Sequence, residues 1–132
     1  MILNISIIDD DSFIRATIIR IIQTIIFKHW EIQITEFENG YQFFDSKQLN
    51  KEGKHFVIVD GTMPMMDGIE VLKNIKNIKG DQDITILMLS ERKSEANIEK
   101  AKRLGASEYR TKPFSIKGIK ATIEQLVQRI EE

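Results

Sequence analysis

Five stretches of strand character, each followed by a stretch of helical periodicity, restrict this chain more than any other feature. Residues 2–8, 56–60 and 84–89 are nearly continuous apolar runs, residues 31–38 alternate, and residues 107–111 form a short fifth stretch carrying Tyr109. A strand that returns to the same edge of a sheet through a helix must lie parallel to its predecessor. Repeated five times, this pattern predicts an α/β, doubly wound, mostly parallel sheet. Right-handed crossovers would then place helices on both faces.

The intervening segments supply the helices. Asp11 or Ser12 can cap a helix in which Ile14, Ile18, Ile21, Ile22 and Ile25 recur at three- and four-residue spacing, with Ile19 and Ile26 widening the apolar face. We read that face as packing surface; exposure of part of it to a partner is the alternative. Asn39-Gly40 predicts a turn before a second helix through Tyr41, Phe43, Phe44 and Leu49, and Lys51, Gly53 and Lys54 mark the polar return. Asp67 predicts the cap of a third helix carrying Val71, Leu72, Ile75 and Ile78 and ending at Gly80. From residue 91 to 103 the chain is highly charged, and only Ile98, Ala101 and Leu104 mark an apolar face. So sparse an anchor predicts the most mobile helix of the set. The last helix repeats Ile116, Ile119, Ile123, Leu126, Val127 and Ile130, the cleanest stripe in the chain.

In open α/β sheets, functional groups gather beyond the carboxyl ends of the parallel strands. Asp9-Asp10, Asp60, Ser90 and Lys112 all follow strands, so the topology should deliver them to one rim. Acids crowded at two strand ends oppose each other's ionisation, and a divalent cation relieves the conflict. Magnesium suits hard oxygen ligands beside a phosphate. His29 and His55 stand apart and cysteine is absent, so no softer metal is recruited and no thiol nucleophile exists. Asp60 can then serve as a carboxylate nucleophile towards phosphorus. Lys112 supplies a compact positive charge and Ser90 a hydroxyl for the other oxygens of the transferred group. Asp11, at a helix entrance, is read as a cap rather than a ligand.

With 19 basic and 20 acidic residues, no global field argues for nucleic acid or an anionic membrane. The chain carries neither a signal-peptide pattern nor an apolar run of membrane-spanning length. The absence of cysteine is compatible with a reducing compartment, and the expectation is a soluble, cytoplasmic protein forming one domain over residues 1–132.

Taken together, Asp9-Asp10, Asp60 followed by Met63-Pro64 and Asp67-Gly68, Ser90, and Lys112-Pro113-Phe114 resemble a response regulator receiver domain of two-component signalling. The resemblance covers essentially the whole chain. It implies a flavodoxin-like sheet of five parallel strands in the order 2-1-3-4-5 with five helices. It makes Asp60 the phosphoacceptor and Asp9, Asp10 and the Thr62 backbone carbonyl its companions around Mg2+. Lys112 would contact the phosphoryl group, Ser90 would move to hydrogen-bond it, and Tyr109 would be the aromatic that follows. A cis Lys112-Pro113 bond is also implied. The phosphodonor would be a sensor histidine kinase or a histidine phosphotransfer protein. Output, as a homodimer or through an effector, would use the fourth helix, fifth strand and fifth helix, without direct nucleic acid binding.

One position departs from the common pattern, and two others are variable within it. Glu91 stands where the family usually carries a small residue, and it either adds an acid to the phosphoryl pocket or points to solvent. Thr62 and Arg92 occupy variable positions where side chains tend to tune hydrolysis. Two rival functions have sequence support. Asp60-Gly61-Thr62 suggests a haloacid-dehalogenase-like phosphatase, but that signature needs an aspartate where this chain has Ile58. A receiver fold used for protein contacts alone is the other.

Overall fold

The computed structural model describes residues 1–80 and 82–131. Five strands, β1 (Ile2–Ile8), β2 (Glu31–Phe37), β3 (Lys54–Asp60), β4 (Thr85–Ser90) and β5 (Glu108–Thr111), alternate with α1 (Ser12–Gln23), α2 (Gly40–Asp45), α3 (Gly68–Lys79), α4 (Glu95–Arg103) and α5 (Ile116–Glu131). The sheet order is β2-β1-β3-β4-β5 and every pairing is parallel, as expected.

Side chains that alternate along the strands divide the core between two layers. Leu3, Ile5 and Ile7 of β1, with Phe56 and Ile58 of β3, pack against Ile18, Ile21 and Ile22 of α1 and Ile119, Ile123 and Leu126 of α5. Ile8, Val57 and Val59 face the other way, towards Phe43 of α2, Val71, Leu72 and Ile75 of α3, and Ala101 of α4. The central strands are buried on both faces, which explains their continuous apolar sequence. β2, at the edge, is half exposed and keeps its alternation.

Helix ends depart from the sequence pattern for local reasons. α1 stops at Gln23 because Thr24 folds back, its Oγ1 and N–H both donating to the Ile21 carbonyl. Ile26 is therefore 86% exposed and does not widen the packed face, whereas Ile19 does. Asn39 is not a turn residue but the cap of α2, its Oδ1 accepting from Gln42 N–H at 2.9 Å. Lys47, in the left-handed region at φ 57°, separates α2 from a 3-10 turn (Gln48–Asn50) that holds Leu49. Lys54 belongs to β3 rather than to the connection. Ile78 lies 56% exposed on α3 instead of along its buried side. α4 begins at Glu95, later than its charged sequence suggested, where Ser94 Oγ accepts from Asn97 N–H at 3.2 Å. Its anchor is as sparse as expected: Ala101 is buried, and Ile98 and Leu104 are half buried.

Candidate functional site

The carboxyl ends of β1, β3, β4 and β5 bring Asp9, Asp60, Ser90 and Lys112 together, as their positions in the chain required. Asp60 and Ser90 are the last residues of β3 and β4, while Asp9 and Lys112 come directly after β1 and β5. Asp9 is 2% and Asp60 5% exposed, so both carboxyls sit in a poorly solvated crevice. The Lys112 ammonium lies between them, 3.3 Å from Asp9 Oδ2 and 3.2 Å from Asp60 Oδ1. Asp10 is exposed, yet one of its oxygens lies within 4.8 Å of an oxygen from each of the two buried acids. The Lys112-Pro113 peptide is cis.

Each neighbour shifts these groups in a direction that follows from its charge. Burial pushes the Asp60 carboxyl up to about 6, the Asp9 charge adds to the rise, and the Thr62 N–H and Lys112 oppose it. Asp9 is likewise raised, by burial first and then by Asp10, against the Asp11 N–H and Lys112. Burial works against the Lys112 ammonium, but its two carboxylate partners outweigh it and hold the group charged above its usual range. The crevice thus has a surplus of acid over base and oxygen donors only, the donor set that a small hard cation takes.

The Thr62 N–H, at 3.1 Å, and Lys112 both bond Oδ1 of Asp60. Among the described residues neither donor falls on Oδ2, so that oxygen remains for an electrophile or a cation. Two glycines give this loop room. A Cβ on Gly61 would lie 2.6 Å from Ser90 Oγ, and one on Gly68 would lie 2.8 Å from the Asp60 carbonyl oxygen. The loop between β3 and α3 therefore passes over the site by direct backbone approach.

Ser90 and Tyr109 meet at one residue. Ser90 Oγ accepts from Arg92 N–H at 3.1 Å, and the Tyr109 hydroxyl donates to the Arg92 carbonyl at 2.6 Å. The Arg92 guanidinium reaches Asp67 Oδ2, on the residue that caps α3, at 4.0 Å. Glu91 is exposed and lines a groove of about 650 Å³ with Phe13, Lys93, Lys112, Phe114 and Ile116. Asp11 caps α1, its Oδ1 accepting from Phe13 and Ile14 N–H. His29 and His55 lie outside the acidic cluster.

Sequence reasoning missed Arg15, which is buried and whose Nη1 donates to the Asp9 carbonyl oxygen at 2.6 Å. The available signal was its spacing: it stands three and seven residues before Ile18 and Ile22, on the face that packs.

The family model for the response regulator receiver domain matches residues 5–124. The chain belongs to this family. As a receiver domain of two-component response regulators, it is 28% identical over 121 residues to a chemotaxis protein CheY homolog of Campylobacter jejuni, covering 92% of this chain and 89% of that protein. It is 31% identical over 100 residues to the phosphate regulon transcriptional regulatory protein PhoB of Escherichia coli, covering 70% of this receiver and 44% of PhoB. Among solved structures, full-length FixJ from B. japonicum superposes with a TM-score of 0.77 at 27% identity, over 96% of this chain and 58% of FixJ. The BeF3-activated DrrB receiver domain shares the fold, with a TM-score of 0.78 at 23% identity over 97% and 99% of the two chains. Where a haloacid-dehalogenase-like enzyme needs an acid, this receiver has Ile58, 1% exposed in the sheet core. No helix among the described residues is long and apolar enough to cross a membrane.

Proposed function

We propose that this receiver accepts a phosphoryl group on Asp60. The observation that carries the reading is the Lys112 ammonium held between two desolvated carboxylates at strand ends, with Asp60 Oδ2 left free of both donors. In the transfer, an Asp60 oxygen attacks phosphorus, the phosphorus–nitrogen bond of a phosphohistidine breaks, and the imidazole leaves with the bonding pair. The product is an acyl phosphate, and attack by water later returns the carboxylate and inorganic phosphate. Lys112 offsets negative charge on the phosphoryl oxygens. The Thr62 N–H and Lys112 hold Oδ1, leaving Oδ2 free of both donors for the attack.

Asp9, Asp10 and Asp60, with the Thr62 carbonyl, would hold Mg2+. Their hard oxygens and excess negative charge fit that ion, which when bound neutralises charge on the phosphoryl group. The donor would be a sensor histidine kinase or a histidine phosphotransfer protein. The groove beside Lys112, with exposed Phe13 and Ile116, offers the donor an apolar seat.

The phosphoryl group, carrying about −1.5 to −2 in place of the carboxylate's single charge, would draw the Ser90 hydroxyl from Arg92 N–H to a phosphoryl oxygen. Tyr109, bonded to the carbonyl of the same residue, would follow, reshaping the surface of α4, β5 and α5 that a second copy or an effector reads. Incubation with Mg2+ and acetyl phosphate followed by intact mass tests the reading. One added phosphoryl group that Asp60→Asn abolishes is expected; no adduct, or an adduct that survives the substitution, refutes it. A module used for protein contacts alone would give no adduct.

A further inference from the structure

We infer that Arg15 is a positioning residue for Asp9, clamping the acid through its main chain, and this rests on the metal site proposed above. An arginine is costly to bury unless its donors find acceptors. Arg15 projects from the packed face of α1 with its side chain 11% exposed. Its Nη1 donates to the Asp9 carbonyl at 2.6 Å, and its Nε donates to Glu36 Oε1 at 3.0 Å. Glu36 precedes Phe37 on β2, and the Phe37 carbonyl accepts the Asp9 N–H at 3.1 Å. Two adjacent β2 residues therefore hold the Asp9 peptide, one directly and one through the guanidinium.

The Asp9 carboxylate is fixed as completely. Oδ1 accepts from Asp11 N–H at 2.8 Å and Oδ2 from Lys112 at 3.3 Å. With N–H, carbonyl and both carboxylate oxygens bonded, Asp9 has no rotation left that keeps its partners. Such rigidity matters for a group that must present an oxygen to a cation alongside Asp10 and Asp60. The forked guanidinium is suited to the task because it reaches two acceptors at a fixed angle, which an ammonium cannot do. The charges that move the Asp9 carboxyl are those of Lys112 and Asp10. Arg15 thus acts on where the acid stands.

Outer partners that orient a metal ligand typically contribute about ten- to a hundredfold in affinity. Mg2+ titration by calorimetry should show Arg15→Met weakened by about that factor and Arg15→Lys weakened less. Glu36→Ala, at a half-exposed surface position, should weaken binding severalfold in a protein that folds normally. Ile18→Val, which trims the same helix without touching Asp9, should bind Mg2+ like the parent. Amide hydrogen exchange without metal supplies the second readout. In Arg15→Met and Glu36→Ala, the Asp9 and Asp11 amides should exchange faster relative to Val57 in the core of β3. Equal acceleration at all three amides, or wild-type Mg2+ affinity in both variants, overturns the inference. If the unaltered protein takes no Mg2+, the metal reading fails, and exchange alone decides whether Arg15 holds Asp9.

Discussion

Replacing Asp60 by Asn should make the protein more stable. The carboxyl rises from an ordinary 3.8 to about 6, because burial and the Asp9 charge outweigh Lys112 and the Thr62 N–H. Its folded pKa is raised above the unfolded one, so its contribution is most favourable below pH 3.8 and is lost as pH rises through about 6. The full change is about 3 kcal/mol against the folded state at pH 8. Asn keeps the shape without the charge, and the attraction of Lys112 for the ionised form is already contained in that net figure. The net gain is therefore about 3 kcal/mol, and with a urea slope of roughly 2 kcal/mol/M the midpoint should rise by about 1.5 M. Trp30, 8% exposed, reports unfolding by its fluorescence. Between pH 8 and pH 5 the advantage should fall by roughly half, since part of the ionisation penalty vanishes as Asp60 takes up its proton. Asp9 is shared by both proteins and largely cancels. Mg2+ at ten times its dissociation constant should restore about 1.4 kcal/mol to the parent alone. A difference that is absent, or that stays constant from pH 5 to pH 8, would refute the account of a desolvated, repelled carboxylate.

Three shorter predictions test other parts of the site and fold. Gly68→Ala forces a Cβ to 2.8 Å from both the Asp60 carbonyl and the Gly61 Cα, neither of which is a flexible side chain, and should cost about 1–3 kcal/mol in urea melts; unchanged stability would contradict the close approach. His55 Nε2 donates to the Lys51 carbonyl, and burial together with Lys79 and Lys51 pushes the imidazole down against that bond. Its ring-proton NMR titration should have a midpoint below 6.5, with the His55 contribution to stability complete above 6.5 and lost as pH falls; a midpoint at or above 6.5 counts against it. Arg92→Ala removes an ion pair whose side chains are 43% and 34% exposed, so stability should change by less than about 1 kcal/mol. Because Arg92 stands two residues from Ser90 and its side chain pairs with the loop before α3, the acyl phosphate lifetime should change severalfold in a phosphate-release assay, and an unchanged rate would exclude a tuning role.

What could be read from the residues alone was whatever the chain states locally. Ile2 to Ile8 and Phe56 to Val59 announce buried parallel strands, and the acids after them fall on the rim because every parallel strand ends on the same side. What escaped required contacts between distant residues or competition at a helix end. The isoleucine spacing of α1 continues past Gln23, but the Thr24 side chain takes the Ile21 carbonyl, and periodicity carries no trace of that bond. Gly61 and Gly68 read as loop residues until Ser90 and the Asp60 carbonyl are placed against them. Glu91 allowed two orientations, and its exposure matches the one that faces solvent, along the groove.

Arg92 shows the same limit with the larger consequence. In the sequence it is one charge in a charged run; in the fold its N–H is held by Ser90 and its carbonyl by Tyr109, seventeen residues away. A hydroxyl that leaves Arg92 N–H frees one side of the residue while the other stays tied to β5. Arg92 also stands two residues before Ser94, whose side chain caps α4. The shortest covalent route from the acidic rim to the most sparsely anchored helix therefore runs through Arg92 and Lys93. Any rearrangement at Ser90 meets that route before it meets the helix.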